Sequence, residues 1–122
     1  MDFKIEMAND VLVLIPSGNL VASETESFRS QLEKLMEKKF LFVLLDMNRI
    51  DFMDSSGLGS IIAVNKLIQG AGGVFACAAL QEGVRKVFRV TRADQKIAVA
   101  ENQSDGLLLI QDRKLQGRGN RA

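Results

Sequence analysis

Arg49-Ile50-Asp51-Phe52-Met53-Asp54-Ser55-Ser56-Gly57-Leu58-Gly59-Ser60 is the stretch on which the reading of the fold turns. An apolar run, Phe40-Leu41-Phe42-Val43-Leu44-Leu45, precedes it. Leu58, Ile61, Ile62, Asn65 and Ile68 follow it at helical spacing. Asp54, Ser55 and Ser56 therefore stand where a buried strand passes into a helix. The first N–H groups of a helix lack intrahelical partners and lie at the positive end of its dipole. Asp and Ser are residue types that cap such an end. Gly57 and Gly59 carry no Cβ and let a partner or an anion come close. Two readings are open at this point. The Asp-Ser-Ser triplet is a plain helix cap, or it is a presented site with Ser55 or Ser56 as the group on offer. The second hydroxyl is the only excess over what one cap needs.

Working upstream, residues 3–7 alternate apolar and polar, as a half-buried strand does. Asn9-Asp10 signals a turn, and Val11-Leu12-Val13-Leu14-Ile15 reads as the second arm of a hairpin. Pro16 is expected to end the central part of that strand, because proline cannot donate to a ladder. Ser17-Gly18-Asn19 is expected to form a loop. Ser23 with Glu26 three residues on matches a capping box. Phe28, Leu32, Leu35 and Met36 then make one apolar stripe with acidic residues first and lysines last, an amphipathic helix in the sense the dipole favours. Residues 40–45 are apolar without alternation, which fits a strand covered on both faces.

Downstream, the helix opened by the central stretch is expected to run to about Gln69 and to end at Gly70-Ala71-Gly72-Gly73. Residues 74–79 form another buried strand. Residues 81–89 read as a short helix with Val84, Val87 and Phe88 inward. Residues 97–100 are a short strand, and Ser104 is expected to cap a last helix carrying Leu107, Leu108 and Ile110. From Asp112 onward apolar content falls, and residues 113–122 hold four basic residues and no acidic one. They are expected to be a flexible basic tail, with a phosphate or membrane contact as the alternative use. Residues 1–112 are thus expected to form one domain, in the order β-β-α-β-α-β-α-β-α. That order gives an α/β fold with about five strands and about four helices. The strand–helix–strand units make the sheet mostly parallel, and the opening hairpin makes it mixed. Sites in such sheets gather at the carboxyl ends of strands, where residues 51–57 fall.

Composition narrows the chemistry. The chain has 122 residues, 47% hydrophobic and 25% charged, which fits one domain with one core. Its formal net charge of +1 supplies no strong field toward nucleic acid or a membrane surface. It contains no His, so a Ser-His-Asp or Cys-His site within the chain is excluded, as is the commonest metal ligand. Cys77, alone in an apolar strand, cannot form an intramolecular disulfide and is expected to be a buried, inert thiol. The beginning of the chain lacks the pattern of a signal peptide, and its apolar runs fall short of the roughly 18 residues of a membrane span. A cytoplasmic, soluble protein with no metal and no cofactor is expected. Gly57-Leu58-Gly59-Ser60-Ile61-Ile62 offers half of a G-x-G-x-x-G and no P-loop lysine, so an enzyme or nucleotide binder is the weakest of the readings.

Phe52-Met53-Asp54-Ser55-Ser56-Gly57-Leu58-Gly59, following an apolar strand and opening a helix, resembles the signature of the STAS domain, and in particular that of stand-alone bacterial anti-sigma factor antagonists. The Gly18 loop, the Gly72-Gly73 approach to the next strand and the short helix at residues 84–88 fall where that family has them, so the resemblance spans roughly residues 3–111. It implies the STAS fold and a non-enzymatic role in partner switching. In that scheme the unphosphorylated protein binds an anti-sigma factor that is also a GHKL-type serine kinase, which frees a sigma factor. Phosphorylation dissolves the complex, and a PP2C-type phosphatase reverses it. The family's acceptor is the serine directly after the motif aspartate, here Ser55, with Ser56 the second choice. The implied partner surface comprises Asn19, Leu20, Val21, Ser23, Met53, Asp54, Ser55, Ser56, Gly57 and Leu58. Ser56 is expected to cap the helix and so leave the Ser55 hydroxyl free. One departure stands out: many members have a Gly-Glu-Leu-Asp pattern before the first helix, and here it is Gly18-Asn19-Leu20-Val21. The missing acid bears on phosphorylation more than on binding. The alternative is a STAS scaffold or accessory subunit on a transporter or another ATPase complex, without phosphorylation.

Overall fold

The computed structural model describes residues 1–119. Its elements run β1 Asp2–Ala8, β2 Val11–Leu20, α1 Ala22–Glu37, β3 Phe42–Asp46, β4 Ile50–Met53, α2 Ser55–Gly70, β5 Val74–Ala78, α3 Glu82–Val90, a 3-10 turn Ala93–Gln95, β6 Ala98–Ala100 and α4 Gln103–Gly119. The sheet order is β1-β2-β3-β5-β6, and β4 pairs with the far end of β2. Only β1–β2 is antiparallel; β2–β3, β2–β4, β3–β5 and β5–β6 are parallel. The mixed, mostly parallel sheet is the one expected, with one strand more.

The pleat of β2 shows why residues 11–15 do not alternate. Leu12 and Leu14 point into the larger core cluster, with Phe28 and Leu32 of α1 and Ile61, Val64 and Ile68 of α2. Val11, Val13 and Ile15 point the other way, into a second cluster with Ile110 of α4. Successive side chains leave opposite faces of a strand, and here both faces are covered. Cys77 is fully buried in the first cluster. Burial in apolar surroundings pushes its thiol pKa far up.

Several local expectations change. Pro16 does not end β2, which continues to Leu20. The β3 ladder engages Leu12–Leu14 and the β4 ladder starts at Gly18, so Pro16 lies in a gap where neither asks for its missing N–H. Residues 50–53, which the sequence did not mark as a strand, form β4. Only Ile50 and Met53 are buried there, a pattern with no period of two to read. The register slips by one between Gly18 and Asn19, where Gly18 has φ +112°. The capping box of α1 does not form: the N-cap is Val21, which has no cap hydrogen bond, and Ser23 lies inside the first turn. At α4 the cap is Asn102, whose Oδ1 accepts from the Asp105 N–H at 2.8 Å, not Ser104. Helix α4 also runs on through residues 113–119, where a tail was expected. Lys114 sits 4.8 Å from the Phe42 ring centroid and pairs with Asp10, which ties this part of the helix to the β1–β2 turn. Residues 120–122 of that expected tail lie outside the described residues.

Candidate functional site

The carboxyl ends of β2 and β4 lie side by side, with Asn19 paired to Phe52 and Leu20 to Met53. Each strand passes directly into a helix, β2 into α1 and β4 into α2. Two helix N-termini therefore meet at one surface, and Asp54 stands between them. Its Oδ1 accepts the Gly57 N–H at 2.9 Å, the ordinary N-cap bond of α2. Its Oδ2 accepts the Ala22 N–H, the first of α1, at 3.2 Å. One carboxylate thus caps both helices and faces both positive dipole ends. Val21, the N-cap residue of α1, has no side-chain acceptor, and the aspartate of the neighbouring helix fills that role.

This arrangement corrects the expected division of labour between the serines. Ser56 does not cap α2; Asp54 does. Ser55 and Ser56 occupy the first two helical positions, both exposed, and neither hydroxyl has a hydrogen-bond partner among the described residues. The free Ser55 hydroxyl has a different cause from the one expected. Ser60, one turn further on, is buried and donates to the Gly57 carbonyl at 2.7 Å.

Gly57 has a structural duty. It is buried, and a Cβ there would fall inside contact distance of the Leu20 carbonyl oxygen and 2.8 Å from Met53 Cγ. The missing Cβ therefore lets α2 close onto β2 and leaves no room there for a partner or an anion. Gly59 is exposed with open space around it, so the freedom of approach expected of both glycines holds only for the second.

The implied partner residues divide in the same way. Asn19, Ser23, Ser55 and Ser56 are exposed and Val21 and Asp54 half-buried, and these six form one continuous rim. Leu20, Met53, Gly57 and Leu58 are buried and support that rim from beneath. Phe52 was not among the expected residues, yet it is 57% exposed beside Asn19. It stands between exposed Asp51 and buried Met53 in a strand without alternation, which gave no signal in the sequence. The loop before β4 is fastened from α3: Gln81 Nε2 donates to the Asn48 carbonyl at 2.8 Å and to Asp51 Oδ1 at 3.4 Å.

Among the described residues no group of three or more His, Cys, Asp or Glu could hold a metal ion. No helix among them is long and apolar enough to cross a membrane.

Known proteins share this architecture. An anti-sigma F factor antagonist of Paenibacillus polymyxa is 27% identical over 110 residues, 88% of this chain and 94% of its own. The crystal structure of a candidate anti-sigma factor antagonist of Thermotoga maritima superposes with a TM-score of 0.85 at 24% identity, covering 89% of this chain and 94% of its own. The phosphorylated form of the Bacillus cell fate determinant SpoIIAA superposes with a TM-score of 0.63 at 22% identity, covering 81% and 91%. The family model of the STAS domain matches residues 2–106, and the chain belongs to that family.

Proposed function

We propose that this protein is an anti-sigma factor antagonist working by partner switching, with Ser55 as the phosphoryl acceptor. In its unphosphorylated form it binds a GHKL-type anti-sigma serine kinase in the cytoplasm and frees a sigma factor. Phosphorylation of Ser55 abolishes that binding, and a PP2C-type phosphatase restores it. The chain is the substrate of this chemistry and not a catalyst.

The observation that carries the reading is the free hydroxyl of Ser55 at an exposed helix start whose N-cap bond Asp54 already makes. A phosphoryl group adds about −1.5 to −2 charges and three acceptor oxygens. Beside a helix N-terminus the fold tolerates that charge. A partner fitted to the neutral rim of Asn19, Ser55 and Ser56 meets new bulk and a charge it must desolvate. A loss of about 3–4 kcal/mol is a several-hundred-fold change in affinity. The relatives named as anti-sigma factor antagonists and the structural neighbour solved in a phosphorylated form support the role in partner switching. Val21, in place of an acid, leaves the acceptor with one acidic neighbour, Asp54, instead of two.

The test is incubation with candidate GHKL-type kinases and ATP, comparing wild type, Ser55→Ala, Ser56→Ala and Ser55→Asp. The expected result is phosphate on Ser55, constitutive binding by Ser55→Ala and poor binding by Ser55→Asp. Phosphate mainly on Ser56, or Ser55→Asp binding as wild type does, overturns it. Retention of a transporter component with no phosphorylation would favour the scaffold role.

A further inference from the structure

Strand β1 ends the sheet, and its outer row of backbone N–H and C=O groups has no strand to pair with. Proteins normally blunt such an edge by shortening it, bulging it, inserting proline or placing charged side chains on it, and of these devices β1 has only the charges, of both signs. Here β1 has seven residues, no proline and an unbroken register with β2 from Asp2 to Ala8. Its apolar side is incompletely covered. Phe3 stacks on Phe28 with ring centroids 5.8 Å apart, but Ile5 is 51% and Met7 52% exposed. On the opposite side Lys4 is exposed and Glu6 half-buried, and they pair with each other at 3.1 Å.

The order of these residues fits a second copy of itself. In an antiparallel pairing centred on Ile5, Ile5 faces Ile5 of the other copy, and Phe3 faces Met7 twice. Lys4 faces Glu6 twice, so both charge pairs across the two-fold axis are of opposite sign. Cross-strand pairs of these kinds, aromatic, aliphatic and oppositely charged, are the units that stabilise a sheet. A two-fold interface must be self-complementary in this way. We propose that β1 is the self-pairing edge of a symmetric dimer of this chain, joining two sheets into one.

In this pairing two β1 strands stand between the two β2 strands, so three gaps of about 4.8 Å separate one β2 from the other. The low net charge opposes self-association little. Asp2 pairs with Ser17 near the end of β2 that carries the Ser55 rim, and the antiparallel arrangement puts the two rims at opposite ends of the joint sheet. The proposal is therefore independent of what binds at Ser55. One strand pair is a small interface, which sets Kd on the order of 10–100 µM.

Sedimentation velocity across a concentration series tests it, with wild type, Lys4→Glu, Glu6→Lys and an equimolar mixture of the two variants. Lys4 is exposed and Glu6 half-buried, and circular dichroism checks that each variant is folded. Wild type should show a concentration-dependent dimer. Each variant alone puts like charges opposite each other at both pairs and should dimerise roughly tenfold more weakly. The mixture restores opposite charges at every pair and should dimerise as wild type does. A monomeric wild type at about 1 mM, well above that Kd, overturns the proposal. So does unchanged dimerisation of the single variants, or a mixture that stays as weak as its components.

Discussion

Removing the Asp54 carboxylate should loosen two helices at once. Asp54→Ala deletes the cap of α2 at Gly57, about 1 kcal/mol by the usual cost of such a loss. It also deletes the bond to the Ala22 N–H, about 1–1.5 kcal/mol for a partly exposed, charge-assisted bond. The lost interaction with two dipole ends overlaps with both, so the total is about 2–3 kcal/mol. For a chain of this length that corresponds to a fall in Tm of about 10 °C. Asp54→Asn keeps one acceptor oxygen and a good N-cap residue, and should lose only about 1 kcal/mol. Urea unfolding gives the free energies, and the amide signals of Gly57 and Ala22 in a nitrogen-15 spectrum show which bond is gone. A further arm isolates the bridge. Val21→Asp supplies α1 with a cap of its own, so Asp54→Ala in that background should cost about 1 kcal/mol less. Equal losses for Asp54→Ala and Asp54→Asn, with no coupling to position 21, would refute the shared cap.

Other consequences are simpler to check. Gly57→Ala drives a Cβ into the Leu20 carbonyl and should destabilise by about 2–4 kcal/mol in a denaturant melt, whereas Gly59→Ala meets open space and should be neutral or stabilising by up to about 1 kcal/mol. Because burial raises the Cys77 pKa in the folded state, its contribution is complete below the unfolded value of about 8.5 and is lost as pH rises above it. Stability should therefore fall with a slope of up to about 1.4 kcal/mol per pH unit there, and Cys77→Ala should remove that part of the slope. Glu101, held below the usual carboxylate range by its hydrogen bonds and charge interaction with Arg85, contributes in the opposite sense, with stability lost as pH falls through its lowered pKa. Since that pair is exposed, Glu101→Gln should change the acid limb of a pH–stability profile only slightly.

Elements with a strong period were legible in the sequence and those without one were not. The stripe of Phe28, Leu32, Leu35 and Met36 announced α1, the unbroken apolar runs at β3 and β5 announced buried strands, and the run at residues 11–15 announced β2 as the second arm of a hairpin. Strand β4 escaped because its order of buried and exposed residues follows neither period, and because it pairs only beyond Gly18 on β2. That partnership is a tertiary fact with no local trace. Caps failed for a related reason. Ser23, Ser56 and Ser104 each have the right chemistry in about the right place, yet the bonds are made by Asp54, for α1 and α2, and by Asn102, for α4. Which residue becomes the cap is decided by where the preceding strand delivers the chain, and a shift of one to three residues is invisible to composition.

The same limit explains why the central motif could be read two ways. An aspartate, two serines and a glycine at a helix start are what a cap requires and also what a presented site requires. Geometry separates the two. Asp54 is held by what it caps, and Gly57 by the backbone it must clear, so the fold alone accounts for both. Ser55, Ser56 and Gly59 touch nothing that would fix their identity. Stability gives no reason to prefer serine over alanine at the first two helical positions, since alanine is the better helix former. The Ser55 and Ser56 hydroxyls are therefore the part of the motif that the fold leaves unexplained, and the proposed phosphoryl switch gives Ser55, directly after the shared cap, a use that capping does not.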